Sequence, residues 1–268
     1  MSSMAREDGK QVYYEDYGTG DTAVVLVHGW GANTRAWDYT LPALVAAGFR
    51  VVLIDHRGCG QSSKDFADVG IDAIAGDVVA LVEHLSLSRV VLNGWSLGGA
   101  VVVAAAAGLG DRCVGLVLTC GATPCYLQKS DYPHGGTEDA LAETLAAMNA
   151  DRVNFLSALA GGVCASEVSP QVVDWMTGMF MQSSPMAAAS LGALGPLDQR
   201  DILGELKLPI LGFVGANDAV VDPAVCRSVA DYAENVTLVE CAASGHAPFV
   251  EESELYHGEL IKFVAAQL

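Results

Sequence analysis

The 268-residue chain carries 32 acidic against 14 basic side chains, a net charge of −18, with 51% hydrophobic and 17% charged residues. Such a composition supports a sizeable core and excludes a disordered chain, and so negative a surface repels nucleic acid and anionic membranes. The longest apolar run, Ala100 to Leu109, is about half of what a bilayer span needs.

The first residues, Met1 to Lys10, contain no apolar core of a secretory signal. Seven cysteines, at 59, 113, 120, 125, 164, 226 and 241, are odd in number and scattered, with no C-x-x-C pair. Reduced thiols in a cytoplasmic protein are therefore expected, and no metal site, because zinc needs clustered Cys and His at ligand spacing.

Apolar runs of strand length then alternate with helix-periodic stretches. Val12 to Tyr14 predicts an edge strand. Val24 to Val27 predicts a strand ending at His28-Gly29, and Trp37, Leu41, Leu44 and Val45 a helix closed by Gly48. Val51 to Ile54 ends at Asp55. Ile71, Ile74, Val78, Leu81, Val82 and Leu85 mark one face of a longer helix. Val90 to Leu92 precedes a helix of small residues, Ala100 to Gly108, and Gly115 to Leu118 is the next strand. Continuous β-branched runs without alternation mark strands buried on both faces, as in a parallel sheet covered by helices.

Between Pro124 and Pro196 the alternation stops. Helical patterns replace it at 138–149, 151–160, 170–181 and 185–194, and five of the seven methionines fall there. This segment reads as a helical subdomain whose methionines fill its core, and also as a cap whose methionines line an adaptable apolar pocket. Met148, Met176 and Met179, with Trp95, are the candidate pocket residues. The strands resume at Ile210 to Val214 and Val236 to Val239, and a closing helix runs from Leu255 to Leu268.

The chemistry-bearing residues stand at strand ends. Gly94-Trp95-Ser96-Leu97-Gly98-Gly99 lies between a strand and a helix. In that context G-x-S-x-G is a sharp turn that lifts a serine hydroxyl clear of the sheet, with small residues where side chains would meet backbone. A serine hydroxyl is a weak nucleophile, so it needs a base and the base needs an orienting carboxylate. His246, in the loop after the last strand, is the candidate base, with His56 at another strand end as its rival. Asp218, directly after the strand 210–214, is the candidate acid, and Asp222 before Pro223 is either an alternative or a helix-initiating residue. Backbone N–H groups of Trp30, in His28-Gly29-Trp30-Gly31, and of Leu97 form a candidate oxyanion hole. His28 reads as a side chain that holds this loop.

The motifs His28-Gly29-Trp30-Gly31, Asp55-His56-Arg57-Gly58-Cys59-Gly60-Gln61-Ser62, the elbow at Ser96, Asp218 and Gly245-His246 together resemble the α/β-hydrolase superfamily. Within it, Pro124-Cys125 and His246-Ala247-Pro248-Phe249 are similar to cap-bearing microbial carboxylesterases of the pimeloyl-acyl-carrier-protein methyl ester esterase group. The resemblance implies a mostly parallel sheet with helices on both faces and a helical cap inserted after the sixth strand. The core then comprises residues 1–123 and 196–268 and the cap 124–195.

The expected chemistry is hydrolysis of small to medium, largely apolar carboxylic esters through an acyl-enzyme on Ser96, without a cofactor. A lactonase or a C–C bond hydrolase of aromatic breakdown uses the same triad. A slow-turnover ligand receptor on this fold is a third reading. The partner expected is a small molecule, and the charge disfavours acidic proteins.

Overall fold

The computed structural model describes residues 2–268. Its sheet has eight strands: β1 (Ser2–Ala5), β2 (Gln11–Tyr17), β3 (Thr22–Val27), β4 (Val51–Ile54), β5 (Arg89–Trp95), β6 (Cys113–Thr119), β7 (Ile210–Gly215) and β8 (Val236–Cys241). They lie in the order β1-β2-β4-β3-β5-β6-β7-β8. The β1–β2 and β2–β4 pairs are antiparallel and the other pairs parallel. The strand β1 has no counterpart in the apolar pattern. Its residues Ser2-Ser3-Met4-Ala5 bury Met4 alone, which is too little for a periodic signal.

The central strands are apolar because both faces are covered. Val24 to Val27, Val51 to Leu53 and Val90 to Leu92 have no exposed surface. Each such side chain contributes about 1.5–3 kcal/mol relative to leaving it in water. Helices α1 (Leu41–Ala46), α2 (Ile71–His84), α3 (Leu97–Leu109), α8 (Arg200–Glu205), α9 (Pro223–Tyr232), α10 (Pro248–Glu251) and α11 (Ser253–Gln267) form the covering layers. The short α8 stands where no helix was predicted, and α9 follows the candidate helix-initiating residue Asp222. Asp222 explains α9: its Oδ1 accepts from Ala224 N at 2.9 Å, capping the helix ahead of Pro223.

Between β6 and β7 the chain is helical, with α4 (Glu138–Ala150), α5 (Arg152–Gly162), α6 (Pro170–Met181) and α7 (Ala188–Gly192). The first three follow the predicted spans closely. The fourth begins as a short 3-10 turn, Pro185–Ala187, before α7.

Two buried polar clusters fix the loops that leave β3 and β4. Asp55 accepts from Thr34 N through Oδ1 and from Gln61 N through Oδ2, both at 2.7 Å, so one carboxylate joins the two loops. Arg57 bonds Asp77 on α2 at 2.6 and 2.8 Å and also pairs with Glu7, tying the β1–β2 hairpin down. No helix among the described residues is long and apolar enough to cross a membrane.

Candidate active site

The strand β5 ends against a turn that leaves almost no room. Ser96 has φ 57° and ψ −122°, a strained setting for a residue with a side chain. A Cβ at Gly94 would lie 2.2 Å from Gly98 O, and one at Gly98 would lie 2.4 Å from Val27 O. Backbone bonds hold the strain in place: Ser96 N donates to Thr119 O at 3.0 Å, and Ser96 O accepts from Ala122 N at 2.9 Å and Gly99 N at 2.8 Å. Although Ser96 is the N-cap of α3, its side chain makes no capping bond, which leaves Oγ available.

Asp218 stands three residues beyond β7. Its Oδ1 accepts from Val220 N at 2.8 Å and Val221 N at 3.0 Å, and its Oδ2 faces His246 Nδ1 at 2.7 Å. A carboxylate accepts, so Nδ1 carries the proton and Nε2 presents a lone pair. That Nε2 is buried and without a hydrogen-bond partner. His246 itself is fixed at both backbone groups, its N–H donating to Val163 O at 2.7 Å and its carbonyl accepting from Trp95 Nε1 at 2.8 Å.

Ser96 and His246 open onto the same cavity, together with Gly29, Trp30, Trp95 and Leu97. A Cβ at Gly29 would come within 3.0 Å of Ser96 Cβ, so the loop after β3 lies directly against the serine. Leu97 is the first residue of α3, where backbone N–H groups lack intrahelical acceptors. Trp30 and Leu97 thus line the cavity beside Ser96.

The rival histidine lies elsewhere. His28 donates from Nδ1 to Gly29 O at 2.7 Å and accepts at Nε2 from His56 N at 2.9 Å, and the two rings stack 3.7 Å apart. Burial pushes His28 down to about 4 and pushes His56 well below its ordinary range. Both are neutral supports beneath the loop, and His56 is not on the cavity wall. Asp222 is likewise spent on structure, capping α9 and accepting from Gly135 N at 3.1 Å.

The methionines require a correction. Met148, Met176 and Met179 are almost fully buried but do not line the cavity, as Trp95 does. They belong to the buried hydrophobic core, where an unbranched, flexible side chain suits irregular gaps. The wall over Ser96 comes instead from branched and aromatic neighbours: Phe155 and Leu159 on α5, Phe180 on α6, Leu191 on α7, and Val220 and Val221 after β7. Phe155 and Leu159 sit four apart on one helix face, a signal present in the sequence and not read as a wall. Tyr126 and Thr144 add hydroxyls, donating to Val220 O at 3.4 Å and Ala140 O at 2.8 Å. Among the described residues no Asp, Glu, Lys or Arg lines this cavity.

Cys120 brings its sulfur beside the pair: Cys120, Asp218 and His246 each place one ligand-type atom within 4.8 Å of the others. The donor set does not suit a metal ion. Burial, with the Asp218 charge adding to it, pushes the Cys120 thiol far above its ordinary value, and both oxygens of Asp218 are already engaged.

A model of the alpha/beta hydrolase fold family matches residues 22–253. The chain belongs to the α/β-hydrolase fold family. The pimeloyl-[acyl-carrier protein] methyl ester esterase of Pectobacterium atrosepticum is 29% identical over 95% of this chain and 99% of its own length. The non-heme chloroperoxidase of Streptomyces lividans is also 29% identical, over 98% and 99%. Among solved structures, the esterase EaEST of Exiguobacterium antarcticum superimposes with a TM-score of 0.94 at 27% identity, covering 98% of this chain and 99% of its own.

Proposed function

We propose that this α/β-hydrolase is a serine carboxylesterase that cleaves small to medium, uncharged, largely apolar esters. Family membership and esterase-named relatives support the hydrolase class. The observation that carries the finer reading is the unpartnered, buried Nε2 of His246, held by Asp218, opening onto the same apolar cavity as Ser96. In this reading His246 Nε2 takes the Ser96 proton as Oγ attacks the ester carbonyl. The N–H groups of Trp30 and Leu97 stabilise the tetrahedral oxyanion, each such donor being worth about 10²–10³ in rate. The imidazolium then protonates the departing alcohol, and water activated by His246 releases the acid and frees Ser96.

The wall chemistry sets the substrate class. With no cationic side chain on the cavity, a carboxylate-bearing substrate finds no counter-charge, which disfavours the C–C hydrolase reading for dienone acids. A protein-borne ester on an acidic carrier, such as the pimeloyl relative's name describes, would meet like charge on a chain of net −18. A free small molecule fits better, and residues 124–195 act as the cap that covers it.

Hydrolysis of p-nitrophenyl esters from acetate to dodecanoate tests the reading, with wild type beside Ser96→Ala. Turnover abolished by the substitution is expected, with an optimum among the shorter chains. Equal activity in the variant, or an inert wild type, would overturn it and bring lactones forward.

A further inference from the structure

His246 hangs from the helical insertion as well as from the sheet. Its N–H donates to Val163 O, and the preceding Gly245 packs so closely on the same segment that a Cβ there would lie 2.7 Å from Ala165 N. Beside this contact, Glu251 at the end of α10 places its carboxylate between the two segments. Oε2 accepts from Gly245 N at 2.8 Å. Oε1 accepts from Ala165 N at 2.7 Å, Ser166 N at 2.8 Å and Ser166 Oγ at 3.0 Å. The neighbouring Glu252 holds the earlier part of the loop, its Oε2 accepting from Ser244 Oγ at 2.6 Å and Ala243 N at 3.0 Å.

Both oxygens of Glu251 accept, and donors face it from two sides. A glutamine has a single acceptor oxygen, so whichever way its amide turns, an NH₂ confronts backbone N–H groups on one side. Glu251 does not line the cavity, so its contribution to substrate binding is indirect at most.

We propose that Glu251 is a positioning residue for His246. Its carboxylate clamps Gly245 to the Ala165–Ser166 turn of the insertion and thereby sets where Nε2 stands relative to Ser96. Asp218 fixes the tautomer and rotation of the ring; Glu251 fixes the backbone from which the ring projects. The placement of the base and the seating of the insertion are thus one mechanical unit, joined through this side chain and through the bond from His246 N–H to Val163 O.

The test rests on the serine-hydrolase reading and measures kcat and KM with p-nitrophenyl butyrate for wild type, S96A, E251Q, E251D and S166A. In E251Q kcat falls about tenfold or more while KM changes by less than about threefold, since a misplaced base slows chemistry more than binding. E251D keeps both acceptor oxygens on a shorter stem and recovers part of the loss. S166A stays within about twofold of wild type, because Oε1 keeps two backbone donors. Unchanged kcat in E251Q, or a loss confined to KM, overturns the proposal. Should E251Q not fold, E251D decides in the same way: reduced kcat at steady KM supports the clamp, and unchanged kcat removes it. Activity surviving in S96A instead overturns the serine-hydrolase reading, whereas a dead S96A beside a wild-type-like E251Q overturns the clamp alone.

Discussion

At the C-terminal edge of the sheet an added methyl group collides with backbone. At Gly215 it would lie 1.8 Å from Gly245 O, and at Gly98 2.4 Å from Val27 O. In the helical insertion, a Cβ at Gly161, Gly162 or Gly178 would meet nothing within 4 Å. The edge must hold Ser96, Asp218 and His246 to a fraction of an ångström, and close backbone approach is how it does so. The insertion supplies apolar wall and cover, a task that tolerates many shapes. The two regions thus differ in how closely backbone packs on backbone.

The largest effect should come from the edge. Asp218→Asn leaves the shape of the site but lets the ring adopt the wrong tautomer, and kcat for a p-nitrophenyl ester should drop by about 10⁴ with an unchanged fold by circular dichroism. Gly98→Ala should cost about 10²-fold or more in kcat/KM, as the elbow shifts away from Val27 O. Its counterpart in the insertion, Gly178→Ala, should leave kcat alone and raise stability by about 0.5–1 kcal/mol in a urea melt. Similar activity losses in both glycine variants would erase the contrast.

The pH dependence of stability probes the support beneath the edge. Burial holds the folded pKa of His28 at about 4, below its unfolded value of 6.5. The unfolded chain therefore binds the proton first, and stability present above pH 6.5 is lost as pH falls towards 4. The shift corresponds to about 3 kcal/mol from this residue alone, His56 adding in the same direction. Thermal midpoints between pH 7.5 and 4.5 measure it. In His28→Gln the slope should flatten, although the midpoint at pH 7.5 is lower. A slope unchanged by the substitution would place the acid sensitivity elsewhere. A small effect is also expected from Met176→Leu, a volume-conserving change inside the insertion: under about 1.5 kcal/mol in stability and no shift in preferred chain length. A shifted optimum would return the methionine to the cavity wall.

The same contrast governs what could be read beforehand. Continuous valine and leucine runs announce buried parallel strands because burial on both faces leaves no choice of residue, and glycines around Ser96 announce an elbow because backbone contacts forbid anything larger. Strand β1 was silent since an edge strand buries little, and α9 was visible solely through its cap, Asp222.

Local pattern was enough to bring Ser96, Asp218 and His246 to one place, since residues that follow parallel strands arrive at one common edge. Which of the insertion's apolar residues face the cavity was settled by tertiary packing alone. Met176 and Met179 share α6 with Phe180, and Met148 on α4 stands one helix before Phe155 and Leu159 on α5; period and hydrophobicity are alike for a residue turned to the interior and one turned to the cavity. The clamp through Glu251 also needed the fold: it joins residues 86 positions apart, and no spacing in the chain records a bond made between two loops.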